Sequence, residues 1–120
     1  VNLAGLDEAL KSLSTSGDGQ RKHSRTVVDI RDSKAVDAWI ASIVAEHGRL
    51  DGAANLAGVF KNNIRIVDMT DEEYAFHMDV NTTGMFYCMR AELRVMKPGA
   101  SIVSNGHFCS LFFSLRVTYS

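Results

Sequence analysis

Leucines at positions 3, 6, 10 and 13 recur at the three- and four-residue steps of a helix, with Asp7 and Glu8 early in the segment. That pattern predicts an amphipathic helix from Leu3 to Leu13. From Ser12 to Arg25 the apolar periodicity gives way to Ser, Gly, Asp and Lys around Gly17-Asp18-Gly19, which reads as an exposed loop. Thr26-Val27-Val28-Asp29-Ile30 is a β-branched run of the kind that fills a buried parallel strand. Asp32 or Ser33 can cap the next helix, whose apolar face is Val36, Trp39, Ile40, Ile43 and Val44, with Gly48 at its end. Leu50 to Leu56 predicts a second buried strand, and Phe60 to Met69 is mostly loop. Thr70-Asp71-Glu72-Glu73 has the form of a capping box, in which the Thr hydroxyl and the Glu carboxylate each take a backbone N–H. It opens a long helix through Asn81 and Gly84 to about Met96, with Met85, Phe86, Met89, Leu93 and Met96 along one face. Pro98-Gly99 makes a turn, Ala100 to Val103 is the last clear strand, and Asn105 to Ser120 reads as irregular.

The order helix, strand, helix, strand, long helix, strand, with short turns, predicts an α/β fold: one parallel sheet covered on both faces, in one domain of 120 residues. A net charge of −1 gives no electrostatic reason to expect nucleic acid, and Arg21-Lys22-His23 with Arg25 is too short a basic stretch to track a phosphate backbone. Cys88 and Cys109 have neither metal-ligand spacing nor the density of a disulfide framework, so no metal is expected and a reducing, cytoplasmic setting is. No apolar run nears the roughly 20 residues that span a bilayer, so no membrane partner is expected. Asn81-Thr82-Thr83 matches a glycosylation acceptor, but it falls inside a predicted helix without secretory context.

Four positions carry candidate chemistry. Asp29 ends a predicted parallel strand, where open α/β sheets place their ligands; its carboxylate and the amide of Ile30 can hydrogen-bond a purine edge. Taken alone, it reads as an ordinary strand-end Asp serving the next helix's N-terminus, and the downstream motif is what turns the reading toward a ligand. In Asn55-Leu56-Ala57-Gly58 the small Ala57 and Gly58 let backbone approach a ligand, and the Asn55 amide can tie neighbouring strands together. Asn81 is a mediocre helix former, so with Gly84 three residues on it marks an irregularity. A solvent-facing Asn is the alternative. Tyr119, near the end of the chain, is a phenol able to move a proton or simply a terminal residue.

Together these residues resemble the short-chain dehydrogenase/reductase (SDR) family over nearly the whole chain. Val28-Asp29-Ile30 is similar to its adenine-contacting acidic residue at the end of the third strand, and Asn55-Leu56-Ala57-Gly58 to its Asn-Asn-Ala-Gly motif, with Leu56 as a departure. Asn81 is similar to the Asn of its catalytic tetrad, and Tyr119-Ser120 to the start of Tyr-x-x-x-Lys. The intervals 29 to 55, 55 to 81 and 81 to 107 are each 26 residues, which suits the family's layout.

The resemblance implies a partial Rossmann-like, doubly wound parallel sheet that lacks its first βα unit and binds NAD or NADP through Asp29, Ile30, Asn55, Ala57 and Gly58. It implies catalysis by Asn81, which holds a proton-relay water, and by Tyr119, which exchanges a proton with the substrate oxygen during hydride transfer. His107 stands where the family usually has the Ser that bonds the substrate carbonyl; Ser110 is a weaker substitute. The expected Gly-rich phosphate turn would precede residue 1, and the Lys would fall at 123. On this reading the chain is truncated at both ends, with the middle strands of its sheet missing, and in isolation it is unstable or re-pairs its strands. Two functions are implied. One is an NAD(P)-dependent oxidoreductase interconverting a small-molecule alcohol and a carbonyl. The other is an inactive chain that acts as an association module, pairing through the long helix 71–96, which resembles the family's dimerisation element.

Overall fold

The computed structural model describes residues 3–14, 23–60, 64–106 and 111–115. Helix α1 (Leu3–Ser14) forms where the leucine pattern predicts it, but Leu6 and Leu10 are only half-buried and Leu13 is exposed. Asp7 pairs with Arg25, tying α1 to the segment before the next helix. Thr26 to Ile30, expected as a strand, is not one: no strand among the described residues lies beside it to complete a hydrogen-bonded ladder. Val28 and Ile30 still pack against the core, while Val27 between Thr26 and Val28 stays exposed.

Helix α2 (Ser33–His47) begins as its sequence dictates. The Asp32 carboxylate accepts the N–H groups of Lys34 and Ala35 at 2.9 and 3.1 Å, and Gly48 closes the helix at φ 81°, donating to the Val44 carbonyl. Its inward face, Val36 and Ile40, meets Cys88 and Ala91 of a later helix, with Trp39, Ile43, Leu50 and Val95 around them. Val36 is wholly buried. Two arginines pin the helices together: Arg90 donates to the Ser33 hydroxyl at 2.7 Å, and Arg94 pairs with Asp37.

The sheet has three strands, β1 (Gly52–Asn55), β2 (Ser101–Gly106) and β3 (Leu111–Leu115), in that order. β1 and β2 run parallel, from Gly52 opposite Ser101 to Asn55 opposite Ser104. β3 pairs antiparallel to β2, with Ile102 opposite Leu115 and Gly106 opposite Leu111. This corrects two expectations. The stretch after Asn105 is not wholly irregular, because Leu111-Phe112-Phe113 is strand-prone and the edge of β2 offers it a ladder. Nor is the sheet covered on both faces. Ile102 is 3 % exposed while its neighbour Val103 is 44 % exposed, so among the described residues only one face is packed.

The long helix predicted from the capping box is three segments in line: α3 (Asp71–Met78), a π-helical turn (Asp79–Gly84) and α4 (Met85–Val95). Thr70 and Glu73 exchange the two expected bonds, each at 3.2 Å. The expected apolar face is corrected as well. Cys88, Ala91 and Glu92 are the buried residues of α4, while Phe86 is 51 % exposed. What α4 packs against sets its inward face: Cys88 and Ala91 meet Val36 and Ile40 of α2, and Glu92 is bonded by Asn55, contacts between distant segments that the apolar spacing within one helix does not encode.

Candidate functional site

The segment before α2 turns sharply at Asp29, whose carbonyl accepts the N–H of Asp32. The Asp29 carboxylate takes the Arg31 backbone N–H at 3.0 Å, Arg31 Nε at 3.0 and 3.2 Å, and Nη2 at 2.6 Å. These charge-assisted bonds from Arg31 hold the carboxyl down at about 2, and the same pair raises the already high pKa of the guanidinium. The guanidinium carbon lies 5.3 Å from the centre of the Phe76 ring, within cation–π range. Ile30 packs onto Gly84: a Cβ there would lie 2.7 and 2.8 Å from Ile30 Cγ1 and Cδ1. The Asn81-to-Gly84 spacing therefore has a packing cause, because only a residue without a side chain lets Ile30 reach the helix.

Asn55 ends β1 with its side chain turned inward. Nδ2 donates to Glu92 Oε2 at 2.9 Å and to Ser104 Oγ at 3.4 Å, so the amide ties β1 to β2 as expected and to α4 as well. Glu92 is 3 % exposed, and burial raises its pKa above the ordinary glutamate range, only partly offset by the Asn55 N–H. Burial, with Glu92 beside it, pushes the Cys88 thiol up to about 11, so it is protonated at neutral pH and is no nucleophile.

Asn81 sits inside the π turn, a place where backbone groups are displaced from their regular partners. Its amide faces the chain just after Ala57-Gly58. Oδ1 accepts the Val59 N–H at 2.8 Å and Nδ2 donates to the Val59 carbonyl at 2.9 Å. One side chain thus satisfies both backbone groups of a loop residue, leaving one N–H and one lone pair of the amide for anything else.

Beside these contacts lies an open cleft of about 480 Å³ lined by Val27 to Arg31, by Ala57, Gly58 and Val59, and by Phe76 and Val80 of the long helix. Four residues singled out in the sequence, Asp29, Ile30, Ala57 and Gly58, meet there. The Asn55 side chain instead serves the network beneath, and the Asn81 side chain is bonded to the wall rather than lining it. A second hollow of about 420 Å³ lies beyond Val59 and Phe76, bordered by Phe60, Glu72, Glu73 and His77. His107 and Tyr119 lie outside the described residues. Arg31, Phe76 and Glu92 were not apparent from sequence. The Asp29-x-Arg31 spacing was the available signal for the first, and the four-residue step from Cys88 the signal for the last.

Known proteins share this sequence pattern and fold. Residues 1–113 match the family model described as enoyl-(acyl carrier protein) reductase. The chain is 45 % identical over 92 residues to Short-chain dehydrogenase/reductase ABA4 of Pyricularia oryzae, a match covering 74 % of this chain and 34 % of that protein. It is 41 % identical over 113 residues to Chanoclavine-I dehydrogenase easD of Claviceps purpurea, covering 88 % of this chain and 42 % of the relative. A solved short-chain type dehydrogenase/reductase from Mycobacterium ulcerans superposes on 86 % of this chain and 38 % of its own with a TM-score of 0.78, at 26 % identity. The chain spans less than half the length of each of these proteins. Among the described residues no helix is long and apolar enough to cross a membrane. With a partial Rossmann-like α/β fold, a small-residue turn after β1 and a cleft at the strand end, the chain belongs to the short-chain dehydrogenase/reductase family.

Proposed function

We propose that this chain forms part of an NAD(P)-dependent oxidoreductase that interconverts a small-molecule alcohol and a carbonyl, with the cleft between Asp29-Ile30 and Ala57-Gly58 holding the adenine end of the dinucleotide. One observation carries the reading: two segments 27 residues apart, between Ile30 and Ala57, meet across an open cleft at the end of β1. The walls fit the ligand. Apolar Val28, Ile30 and Val80 suit the faces of a flat heterocycle, Ala57 and Gly58 let it approach backbone, and the Asp29–Arg31 pair gives the open edge a polar group. The nicotinamide supplies the hydride chemistry. In this reading Asn81 fixes the cleft wall through Val59, Tyr119 exchanges the proton of the substrate oxygen, and His107 stands near the substrate carbonyl. Likeness to a chanoclavine-I dehydrogenase makes chanoclavine-I the first substrate to try. Titration of the protein with NADH and with NADPH, followed by nucleotide fluorescence, should show saturable binding of at least one. No binding of either would end the reading.

A second proposal concerns assembly. Tyr74 and Phe86 on the helix from Asp71 to Val95 are 55 and 51 % exposed, and this exposed apolar area favours pairing with a second copy. Light scattering should then report a dimer that Phe86→Glu dissociates; a monomeric wild type would refute it.

A further inference from the structure

The Asp29 carboxylate is the residue one expects to receive an adenine amino group, but its acceptor sites are largely taken. Oδ1 already receives the Arg31 N–H and Nε, and Oδ2 receives Nη2 with a longer contact to Nε. A carboxylate offers about four lone-pair directions, so little is left for a ligand. The consequence falls on Arg31. Its side chain stays 44 % exposed although one edge is locked by Asp29 and the Phe76 ring lies 5.3 Å from its carbon. Arg31, Asp29 and Phe76 line the same cleft as Ala57 and Gly58. A planar cation bonded along one edge and lining a largely apolar cleft is a stacking platform for an electron-rich ring, because the guanidinium, unlike an ammonium, is flat and weakly hydrated.

We propose that Arg31 is the specificity residue of the adenine subsite: Asp29 and Phe76 hold its guanidinium flat, and its free face stacks on the purine. Asp29 then acts as a positioning residue, through Arg31 rather than on the base. The proposal rests on the dinucleotide reading given above, and it concerns the adenosine half alone.

The test is equilibrium binding by nucleotide fluorescence, with NADH, NADPH and reduced nicotinamide mononucleotide, which lacks adenosine. Proteins compared are the wild type, Arg31→Ala, Arg31→Lys and Asp29→Asn. Both side chains are exposed, so the variants keep the fold, and circular dichroism checks it. Arg31→Ala should weaken the dinucleotide that the wild type binds by roughly 5- to 30-fold, the range of a partly desolvated cation–π contact, and leave the mononucleotide unchanged. Arg31→Lys should recover little, since it keeps charge but not the plane, and Asp29→Asn should show a smaller loss. Equal or tighter dinucleotide binding by Arg31→Ala would overturn the proposal while leaving the cofactor reading intact, since a freed Asp29 would then be the true acceptor. Equal weakening of the mononucleotide would overturn it too. A wild type that binds neither dinucleotide would remove both.

Discussion

Replacing Gly84 by alanine tests whether the contact between Ile30 and the π turn shapes the cleft. The added Cβ would stand 2.7 and 2.8 Å from Ile30 Cγ1 and Cδ1, about 1 Å inside ordinary carbon–carbon separation, and 3.3 Å from the Asp79 carbonyl oxygen. Overpacking of this kind costs about 1–3 kcal/mol. Gly84 has helical dihedrals, φ −62° and ψ −43°, so alanine also gains roughly 1 kcal/mol of helix propensity. The net expectation for Gly84→Ala is a loss of about 0–2 kcal/mol in urea unfolding at unchanged m-value. The decisive measurement is the cycle with Ile30→Ala. Once Ile30 Cγ1 and Cδ1 are gone the clash is gone, and Gly84→Ala should stabilise by up to about 1 kcal/mol, giving a coupling energy of about 1–3 kcal/mol. If Gly84→Ala destabilises equally in both backgrounds, the Ile30 contact is not the reason for glycine, and crowding against the Asp79 carbonyl is.

Four further outcomes follow from the same contacts. Asn81→Ala removes both partners of Val59 and should cost about 1–3 kcal/mol in chemical denaturation, because two half-buried backbone groups lose their bonds. Thr70→Ala should cost about 1 kcal/mol by removing the cap of α3, seen as faster amide hydrogen exchange at Glu73. Glu92 has a folded-state pKa raised above its unfolded value, so its stabilising contribution is fully present below the ordinary glutamate range and is lost as pH rises through the folded value. Glu92→Gln, which can still accept from Asn55, should therefore flatten that slope and stabilise at pH 7; an unchanged pH–stability curve would contradict it. Asp29 behaves oppositely: held at about 2, it contributes above its ordinary 3.8 and loses that contribution as pH falls toward 2, and carboxyl NMR of Arg31→Ala should show its midpoint returning toward 3.8.

The sequence was most legible where one residue type has one local cause. Asp32, Gly48 and the Thr70–Glu73 box set helix ends through bonds within a few residues, and these formed as predicted. Asn81 with Gly84 announced an irregular helix, and the chain widens there. Thr26 to Ile30 failed as a strand because a ladder depends on a neighbour that no local pattern supplies, and β3 was missed for the converse reason: the edge of β2 recruits it. The cleft itself was legible in Asp29, Ile30, Ala57 and Gly58, since strand-end position and small side chains are local properties. Arg31 over Phe76 and Glu92 beneath Asn55 were not, because those contacts join residues 45 and 37 positions apart.

The six residues Asp79–Gly84 hold the helix with one residue more than a regular turn needs. Winding all six into an unbroken α-helix, with none removed, would by the criterion of regularity give a better-ordered chain. It would also swing everything upstream by about 100° around the axis, carrying Phe76 away from Arg31 and unseating Asn81 from Val59. The helix is therefore a spacer whose length is set in angle rather than in ångströms, and a tidier helix would leave the molecule without its cleft.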